Sequence, residues 1–244
     1  MEASFADRFA DTLRRGLVEA GITIEEDVQE LLLQYAQQVE EGNRKLNLTR
    51  ITSPEEMAIK HFVDSLACFK LDLTRSEIHC LDVGTGGGFP GIPLAICCPS
   101  WKVVLLDSLR KRLNFLDSAS ENLRLSNVHT LHARAEDAGQ DPSYREKFDL
   151  VVSRAVARLP VLLELCVPFV KVGGRFIAMK GAGAREEVEE SGNALRKLNC
   201  TISQILEFEL PDDAGERALI VVDKVGSTNP TYPRRAGTPA KNPL

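Results

Sequence analysis

A glycine-rich segment that follows a short apolar run carries the residue types most suited to holding a small-molecule cofactor. Residues 82–91 read Asp-Val-Gly-Thr-Gly-Gly-Gly-Phe-Pro-Gly. Glycines let the backbone adopt dihedral angles that a Cβ forbids, and they let a ligand lie directly against the main chain. A dinucleotide fingerprint needs glycines at the first, third and sixth positions, whereas the sixth position counted from Gly84 is Phe89. The spacing therefore argues against NAD.

The same segment has the pattern of loops that bind S-adenosylmethionine. An acid stands two residues before Gly84, and Gly86 and Gly88 follow at alternate positions. In loops of this type the amino-acid end of the cofactor, rather than a pyrophosphate, lies over the glycines. The alternative interpretation is a glycine-rich turn of purely structural origin.

A second apolar run ends in an acid at a spacing that suits a ribose. Residues 102–107 read Lys-Val-Val-Leu-Leu-Asp, and Asp107 stands about nineteen residues after Gly88. A carboxylate at the end of a strand can accept two hydrogen bonds from a ribose diol. The alternative is that Asp107 caps a helix that begins near Arg110.

Composition excludes several classes of protein. The chain has 244 residues, 43% of them hydrophobic, and no apolar run approaches the roughly twenty residues that span a bilayer. The acidic N-terminus is unlike a signal peptide, and the six cysteines have no metal-ligand spacing. We therefore predict a cytoplasmic protein with reduced thiols, no metal site and no membrane association. Its net charge of −5 means that any binding of nucleic acid requires local basic patches.

Periodicity predicts an α/β fold with a helical N-terminal extension. A first helix is predicted by the apolar residues Phe5, Phe9, Leu13 and Leu17, which recur every four residues. Two more helices are predicted by patterns of capping boxes at Thr23 with Glu26 and at residues 53–56. Five strands near 79–84, 102–107, 128–133, 148–153 and 174–180 alternate with helical stretches, and the runs 202–208 and 217–222 read as a closing hairpin.

The predicted sheet has seven strands, most of them parallel, in the Rossmann-like arrangement of class I S-adenosylmethionine-dependent methyltransferases. The predicted divisions are a helical extension over 1–75, a methyltransferase domain over 76–226 and an extended basic, Pro-rich tail over 227–244. No heptad or exposed apolar stripe demands a partner, so we expect a monomer.

Ligands of open α/β sheets lie outside the carboxyl ends of the strands, and polar residues follow three of the predicted strands there. They occur in Arg134-Ala135-Glu136-Asp137, in residues 153–158 with Arg154 and Arg158, and at Lys180. Ala135 and Glu136 could meet an adenine edge, Arg154 a carboxylate, and the cations a phosphate. The alternative is that these side chains are simply solvated. Two further basic groups are present: one comprises residues 110–112, which also suit a solvated helix face, and the other comprises Arg44, Lys45 and Arg50.

Two kinds of base methylation lack the residues that they need. The predicted fourth strand is followed by Ser-Arg-Ala-Val, not by the Pro-Pro-aromatic clamp of adenine amine methylation. No Pro-Cys near it supplies the nucleophile of cytosine C5 chemistry. Direct transfer to an atom that is already nucleophilic remains, and guanine N7 is such an atom. Such a reaction needs positioning rather than a general base, so we predict no catalytic acid or base.

These segments, taken together, resemble the bacterial 16S ribosomal RNA guanine-N7 methyltransferase G family, also called glucose-inhibited division protein B. The matching segments are 47–49, 61–66, 82–94, 106–109, 134–136, 153–155 and the tail 232–239. The resemblance implies methylation of N7 of one guanine in the decoding-region loop of 16S rRNA, with the rRNA or the 30S subunit as partner and S-adenosylmethionine as cofactor. One departure is Gly87, where relatives commonly carry Ala or Pro.

Carried over position by position, the resemblance implies cofactor contacts at Gly84, Phe89, Asp107, Ala135, Glu136 and Arg154. Together with the loop pattern and the polar strand ends, it gives two sets of expected contacts. Cofactor contacts are expected at Gly84, Gly86, Gly88, Phe89, Asp107, Ser108, Ala135, Glu136 and Arg154. Substrate contacts are expected at Arg154, Arg158, Lys180, His61 and Asn47. A lone histidine such as His61 is also often structural. Two other functions stay open at this stage, namely a methyltransferase for a small molecule or protein and a non-catalytic RNA-binding module.

Overall fold

A helical extension precedes the first strand in the computed structural model, which describes residues 3–73 and 77–244. Its helices are α1 (Phe5–Glu19), α2 (Glu26–Leu46), α3 (Pro54–Met57) and α4 (Asp64–Leu66). A π-helical segment, Ala58–Val63, joins α3 to α4, and a 3₁₀ turn, Ala67–Lys70, follows. The apolar face predicted for α1 is confirmed, because all of its predicted members but the first are buried.

The two predicted helix caps have different outcomes. Ser53 caps α3, and its Oγ accepts a hydrogen bond of 3.3 Å from the backbone N–H of Glu56. The capping box predicted at Thr23 is wrong. Glu25 occupies the N-cap position of α2 and makes no side-chain capping bond.

The sheet contains the seven predicted strands. They are β1 (His79–Val83), β2 (Lys102–Asp107), β3 (Val128–His132), β4 (Phe148–Arg154), β5 (Val170–Lys180), β6 (Cys200–Glu209) and β7 (Glu216–Lys224). Their order is β3-β2-β1-β4-β5-β7-β6, and β7 alone runs antiparallel to the other six strands. The chain crosses from one side of β1 to the other after β3, which creates the switch point where open α/β sheets bind ligands.

Helices cover both faces of the sheet. Between and after the strands lie α5 (Gly91–Cys97), α6 (Arg110–Asn122), α7 (Ala135–Ala138), α8 (Leu159–Cys166), α9 (Ala184–Glu190), α10 (Gly192–Lys197) and α11 (Thr238–Lys241). Neighbouring residues of β1 belong to opposite cores: Cys80 packs with the N-terminal helices, and Leu81 packs with α8. Burial on both sides explains why the strands read as continuous apolar runs. None of the described helices combines the length and apolar character needed to cross a membrane.

All six cysteines are free thiols, as the sequence predicts. Burial raises the pKa of Cys68 to about 12, and burial raises the pKa of Cys98 to about 11. Thiols held in this way are poor nucleophiles, because the thiolate is the reactive form. Their place in the core indicates a role in packing.

The C-terminal segment differs from the extended tail that the sequence predicts. Residues 227–244 are mostly irregular, but they pack on the domain and end in the short helix α11. Arg145 holds them with hydrogen bonds of 2.7 Å to the carbonyl oxygens of both Thr228 and Tyr232. The boundaries predicted for the three parts of the chain stay a prediction.

A buried tyrosine joins the helical extension to the glycine-rich loop. Tyr35 of α2 is fully buried, and its hydroxyl donates a 2.6 Å hydrogen bond to the carbonyl oxygen of Gly87. Phe62 packs edge-on against Phe89 of the same loop, with ring centroids 5.2 Å apart. The extension is therefore part of the wall that shapes the loop.

The Tyr35 contact is tested by removing one oxygen atom. Tyr35→Phe leaves the ring in place and leaves the buried Gly87 carbonyl without that donor, so we expect the free energy of unfolding to fall by about 1–3 kcal/mol. Urea denaturation measures the change. The control is Tyr144→Phe on a partly buried tyrosine, which should cost less. Equal stability of Tyr35→Phe and the native protein would contradict the proposed link.

Candidate active site

The glycine-rich loop leaves β1 at the carboxyl edge of the sheet and is held there by backbone hydrogen bonds. The N–H groups of Gly84 and Thr85 both donate to the carbonyl oxygen of Leu106 in β2, at 2.8 and 3.1 Å. Gly88 has a φ of 84°, and a Cβ at that position would collide with the Tyr35 hydroxyl. Residue 88 must therefore be glycine for both conformational and steric reasons.

Asp82 anchors the loop from below. It is completely buried, and its Oδ2 accepts hydrogen bonds from the Thr85 hydroxyl at 2.7 Å and from the Gly91 N–H at 2.9 Å. Its other oxygen, Oδ1, has no partner among the described residues. Burial raises the pKa of Asp82 to about 6, although the two hydrogen bonds lower it. Because Asp82 is completely buried, its carboxylate holds the loop from inside the protein.

Asp107 occupies the position predicted for a ribose-binding acid, and its carboxylate is held in a fixed orientation. Oδ2 accepts from the Gly86 N–H at 3.0 Å and from Arg112 Nη1 at 3.3 Å. Oδ1 accepts from the Leu109 N–H at 2.8 Å. The carboxylate holds the turn before α6 but does not cap that helix, since the N-cap residue is Leu109 and no side chain caps it. It also ties β2 to the glycine-rich loop.

A cleft of about 320 Å³ lies between Gly84 of the loop, Asp107 and the ends of β3 and β4. This volume is within the range of about 300–1,000 Å³ usual for small-molecule sites. The cleft brings together most of the residues that the sequence predicts for a cofactor. Those that line it are Gly84, Asp107, Ser108, Ala135, Glu136 and Arg154. Gly86 and Phe89 belong to the loop beside it, and Gly88 faces the core at Tyr35.

Arg154 lines the cleft and is hydrogen-bonded to residues of the helical extension. Its Nη1 donates to Asp64 Oδ2 at 2.8 Å and to the Lys60 carbonyl oxygen at 2.9 Å. Its guanidinium lies over the Phe89 ring, 5.4 Å from the centroid. Asp64, which is buried and also pairs with Arg217 at 3.2 Å, was not predicted. The sequence signals for it were an acid on the apolar face of a helix and its place in the matching segment 61–66.

His61 is a structural neighbour of this cluster. Its Nε2 lies 2.7 Å from the Thr49 hydroxyl, and its ring stacks on Phe89 at 4.7 Å. Burial, together with the positive charge of Arg154, lowers the pKa of His61 to about 3. The imidazole is therefore neutral at physiological pH and packs behind the loop.

The two other predicted cations are paired with acids of α9. Lys180 is mostly buried; its Nζ contacts Glu187 Oε2 at 2.8 Å and donates to the Ala157 carbonyl oxygen at 2.8 Å. Arg158 is exposed and pairs with Glu190 at 2.5 Å. Neither residue lines the cleft. The strand-end position of Lys180 was predicted correctly, but its charge is already compensated.

A larger groove of about 1,260 Å³ adjoins the cleft on the side of the helical extension. Asn47 lies on it, in the left-handed conformation at the end of α2. The groove and the cleft share two lining residues, Arg112 and Ala155, so the two are adjacent. Arg50 is exposed on the same groove. Within residues 3–73 and 77–244, no group of acidic, histidine or cysteine side chains has the geometry of a metal site.

Comparison with known proteins agrees with the fold and the motifs. The family model described as GidB, rRNA small subunit methyltransferase G, matches residues 28–217. A curated protein named ribosomal RNA small subunit methyltransferase G from Desulfitobacterium hafniense is 56% identical over 86% of this chain and 87% of its own length. One of the same name from Acetivibrio thermocellus is 49% identical over 95% of this chain and 97% of its own.

A solved structure supports the fold alone. A SAM-dependent methyltransferase from Aquifex aeolicus superposes with a TM-score of 0.54 and 17% sequence identity, over 72% of this chain and 96% of that one. The predicted Rossmann-like methyltransferase fold is thereby confirmed.

The buried position of Asp82 predicts a pH dependence of stability. Because its pKa is raised from 3.8 to about 6, the folded protein retains a proton that the unfolded chain releases between those pH values. Stability should therefore fall as pH rises from 4 to 6, by about 3 kcal/mol from this group. Urea denaturation gives the free energy of unfolding of the native protein and of Asp82→Asn at each pH in that range, and the difference between the two isolates the contribution of Asp82. A difference that does not change with pH would contradict the assignment.

Proposed function

Because the chain belongs to the rRNA small subunit methyltransferase G family, we propose that it transfers a methyl group from S-adenosylmethionine to N7 of one guanine in the decoding-region loop of 16S rRNA. The observation that carries this proposal is the cleft at the sheet's switch point, in which the glycine-rich loop and Asp107 are hydrogen-bonded to each other. We further propose that the protein acts as a cytoplasmic monomer.

The residues of the cleft suit the parts of S-adenosylmethionine. Asp107 presents a carboxylate of fixed orientation to a ribose diol. Ala135 and Glu136 line the part of the cleft that we assign to adenine. Arg154 lines the part that we assign to the carboxylate of the cofactor. When bound, the cofactor supplies a methyl group activated by a sulfonium.

Guanine N7 fits a site that offers position rather than acid or base chemistry. Its lone pair lies in the plane of the ring and is free in a Watson–Crick pair, so no proton must be removed before transfer. His61, whose Nδ1 lies 3.3 Å from Arg154 Nη2, is neutral and hydrogen-bonded to Thr49. The protein's contribution is then to hold the base in line with the methyl group and to exclude other orientations.

The groove beside the cleft is the path that we assign to the RNA. It meets the cleft at Arg112 and Ala155, so a base in the groove would reach the cleft without crossing the fold. Arg50 provides an exposed cation there, whereas Lys180 is buried against Glu187. We therefore assign a phosphate contact to Arg50 in place of Lys180.

The acceptor atom is tested by methyl transfer to 30S subunits that lack the modification. With labelled S-adenosylmethionine we expect incorporation of label into 16S rRNA. We also expect aniline to cleave the RNA at one guanine of the decoding-region loop, because N7 methylation weakens the bond between base and ribose and aniline cleaves the chain where the base is lost. Transfer without cleavage would move the acceptor to another atom. Transfer to protein or to small molecules, with none to RNA, would favour the alternative function of a small-molecule or protein methyltransferase.

The assigned RNA path predicts separable effects on substrate and cofactor. Arg50→Ala should weaken binding to 30S subunits by a factor of about 5–10 and lower the salt dependence by about one charge, because one phosphate contact is lost. The affinity for S-adenosylhomocysteine should not change.

The matched control for Arg50 is Lys197→Ala. Lys197 is also an exposed cation, on α10, which leads into β6 at the opposite edge of the sheet. Filter binding at several salt concentrations measures both variants. An Arg50→Ala protein that binds 30S subunits as tightly as the Lys197→Ala protein would contradict the assigned path.

A further inference from the structure

The C-terminal segment, residues 227–244, is anchored to the domain by a buried ion pair. Glu164 of α8 is fully buried, and both of its oxygens accept from Arg234. The shortest contacts are 2.6 Å from Nη2 and 2.8 Å from the backbone N–H of Arg234. The same Nη2 also donates to the carbonyl oxygen of Asn242 at 2.7 Å. A buried carboxylate satisfied by one residue fixes that residue strongly, because loss of the partner would leave an unpaired charge.

Beyond this anchor, the segment contacts the wall of the cofactor cleft. The N–H of Gly237 donates a 2.9 Å hydrogen bond to Oε1 of Glu136. Glu136 lies on α7 and lines the cleft, together with Ala135 before it. The carboxylate of Glu136 is thus engaged with the C-terminal segment on one oxygen.

A second group of contacts holds the end of the same short helix. Gln140 Nε2 donates to the carbonyl oxygens of Pro230 at 3.0 Å and Pro233 at 2.8 Å. Pro233 also packs so closely on Gly139 that a Cβ there would come within 2.8 Å of its ring. The four-residue helix α7 has little stability of its own, since isolated helices of this length do not form in water.

We propose that residues 227–244 act as a latch that holds the Ala135–Glu136 wall in position for the cofactor, with Gly237 and Arg234 as positioning residues. The inference rests on the proposed function, since it takes the cleft to be the S-adenosylmethionine site. Neither residue lines the cleft. Their effect passes through Glu136 and through the buried Glu164, whose neighbour Leu165 is part of the cleft lining.

Gly237→Pro tests the latch at the contact with Glu136. Proline lacks the N–H that Glu136 accepts and cannot adopt the φ of 81° found at Gly237. Calorimetric titration with S-adenosylhomocysteine should give a dissociation constant about tenfold higher than that of the native protein, the equivalent of one hydrogen bond to a charged group. Binding to 30S subunits should not change.

The matched control is Gly183→Pro. Gly183, like Gly237, is the N-cap of a helix and has a positive φ, here 82°. A Cβ at either glycine would have no neighbour within 4 Å. Gly183 differs in position, because it precedes α9. This variant should leave the affinity for S-adenosylhomocysteine unchanged. A second variant, Arg234→Lys, keeps a positive charge beside Glu164 and loses the bridge to Asn242, and it should weaken binding by a smaller factor. Thermal unfolding without ligand reports any general loss of stability.

Each outcome bears on a different statement. A native protein that fails to bind S-adenosylhomocysteine would overturn the proposed function and the latch together. Native binding with unchanged affinity in both Gly237→Pro and Arg234→Lys would overturn the latch alone. A lower unfolding temperature with unchanged affinity would make the C-terminal segment a purely structural element, which also contradicts the proposal.

Discussion

The structure depends on how the glycine-rich loop is held at the carboxyl edge of the sheet. Asp82 holds it from below, Asp107 from the neighbouring strand and Tyr35 from the helical extension. Each contact involves a backbone N–H or carbonyl group of the loop. The backbone of the loop is therefore held in position by residues of β1, β2 and α2. A ligand that lies against this main chain meets a preformed surface, which reduces the entropy cost of binding.

Charged groups near the site serve mainly to join elements. Arg154 is bound to Asp64, Lys180 to Glu187 and Arg234 to Glu164, and these pairs connect β4, β5 and the C-terminal segment to different helices. Such buried pairs add less to stability than their number suggests, because desolvation offsets most of the attraction. They do fix geometry. A transfer that needs alignment rather than acid or base chemistry gains from this rigidity.

Local features of the sequence predicted most of the fold and the core of the site. The seven strands and the acids at 82 and 107 were predictable because apolar runs, glycines and strand-end acids are patterns within short windows. The cap at Thr23 was not, since spacing alone does not fix where a helix begins. The partners of Lys180 and Arg234 were not predictable either, because Glu187 and Glu164 are brought to them only by tertiary packing.

The most direct test of the central claim is calorimetric titration with S-adenosylhomocysteine of the native protein, Asp107→Asn and the exposed control Asp137→Asn. The account predicts one binding site in the native protein. It also predicts an affinity at least about tenfold lower in Asp107→Asn, because a charged hydrogen bond to the ribose is lost, and no loss in Asp137→Asn. Equal affinity in all three proteins would contradict the assignment of the cleft.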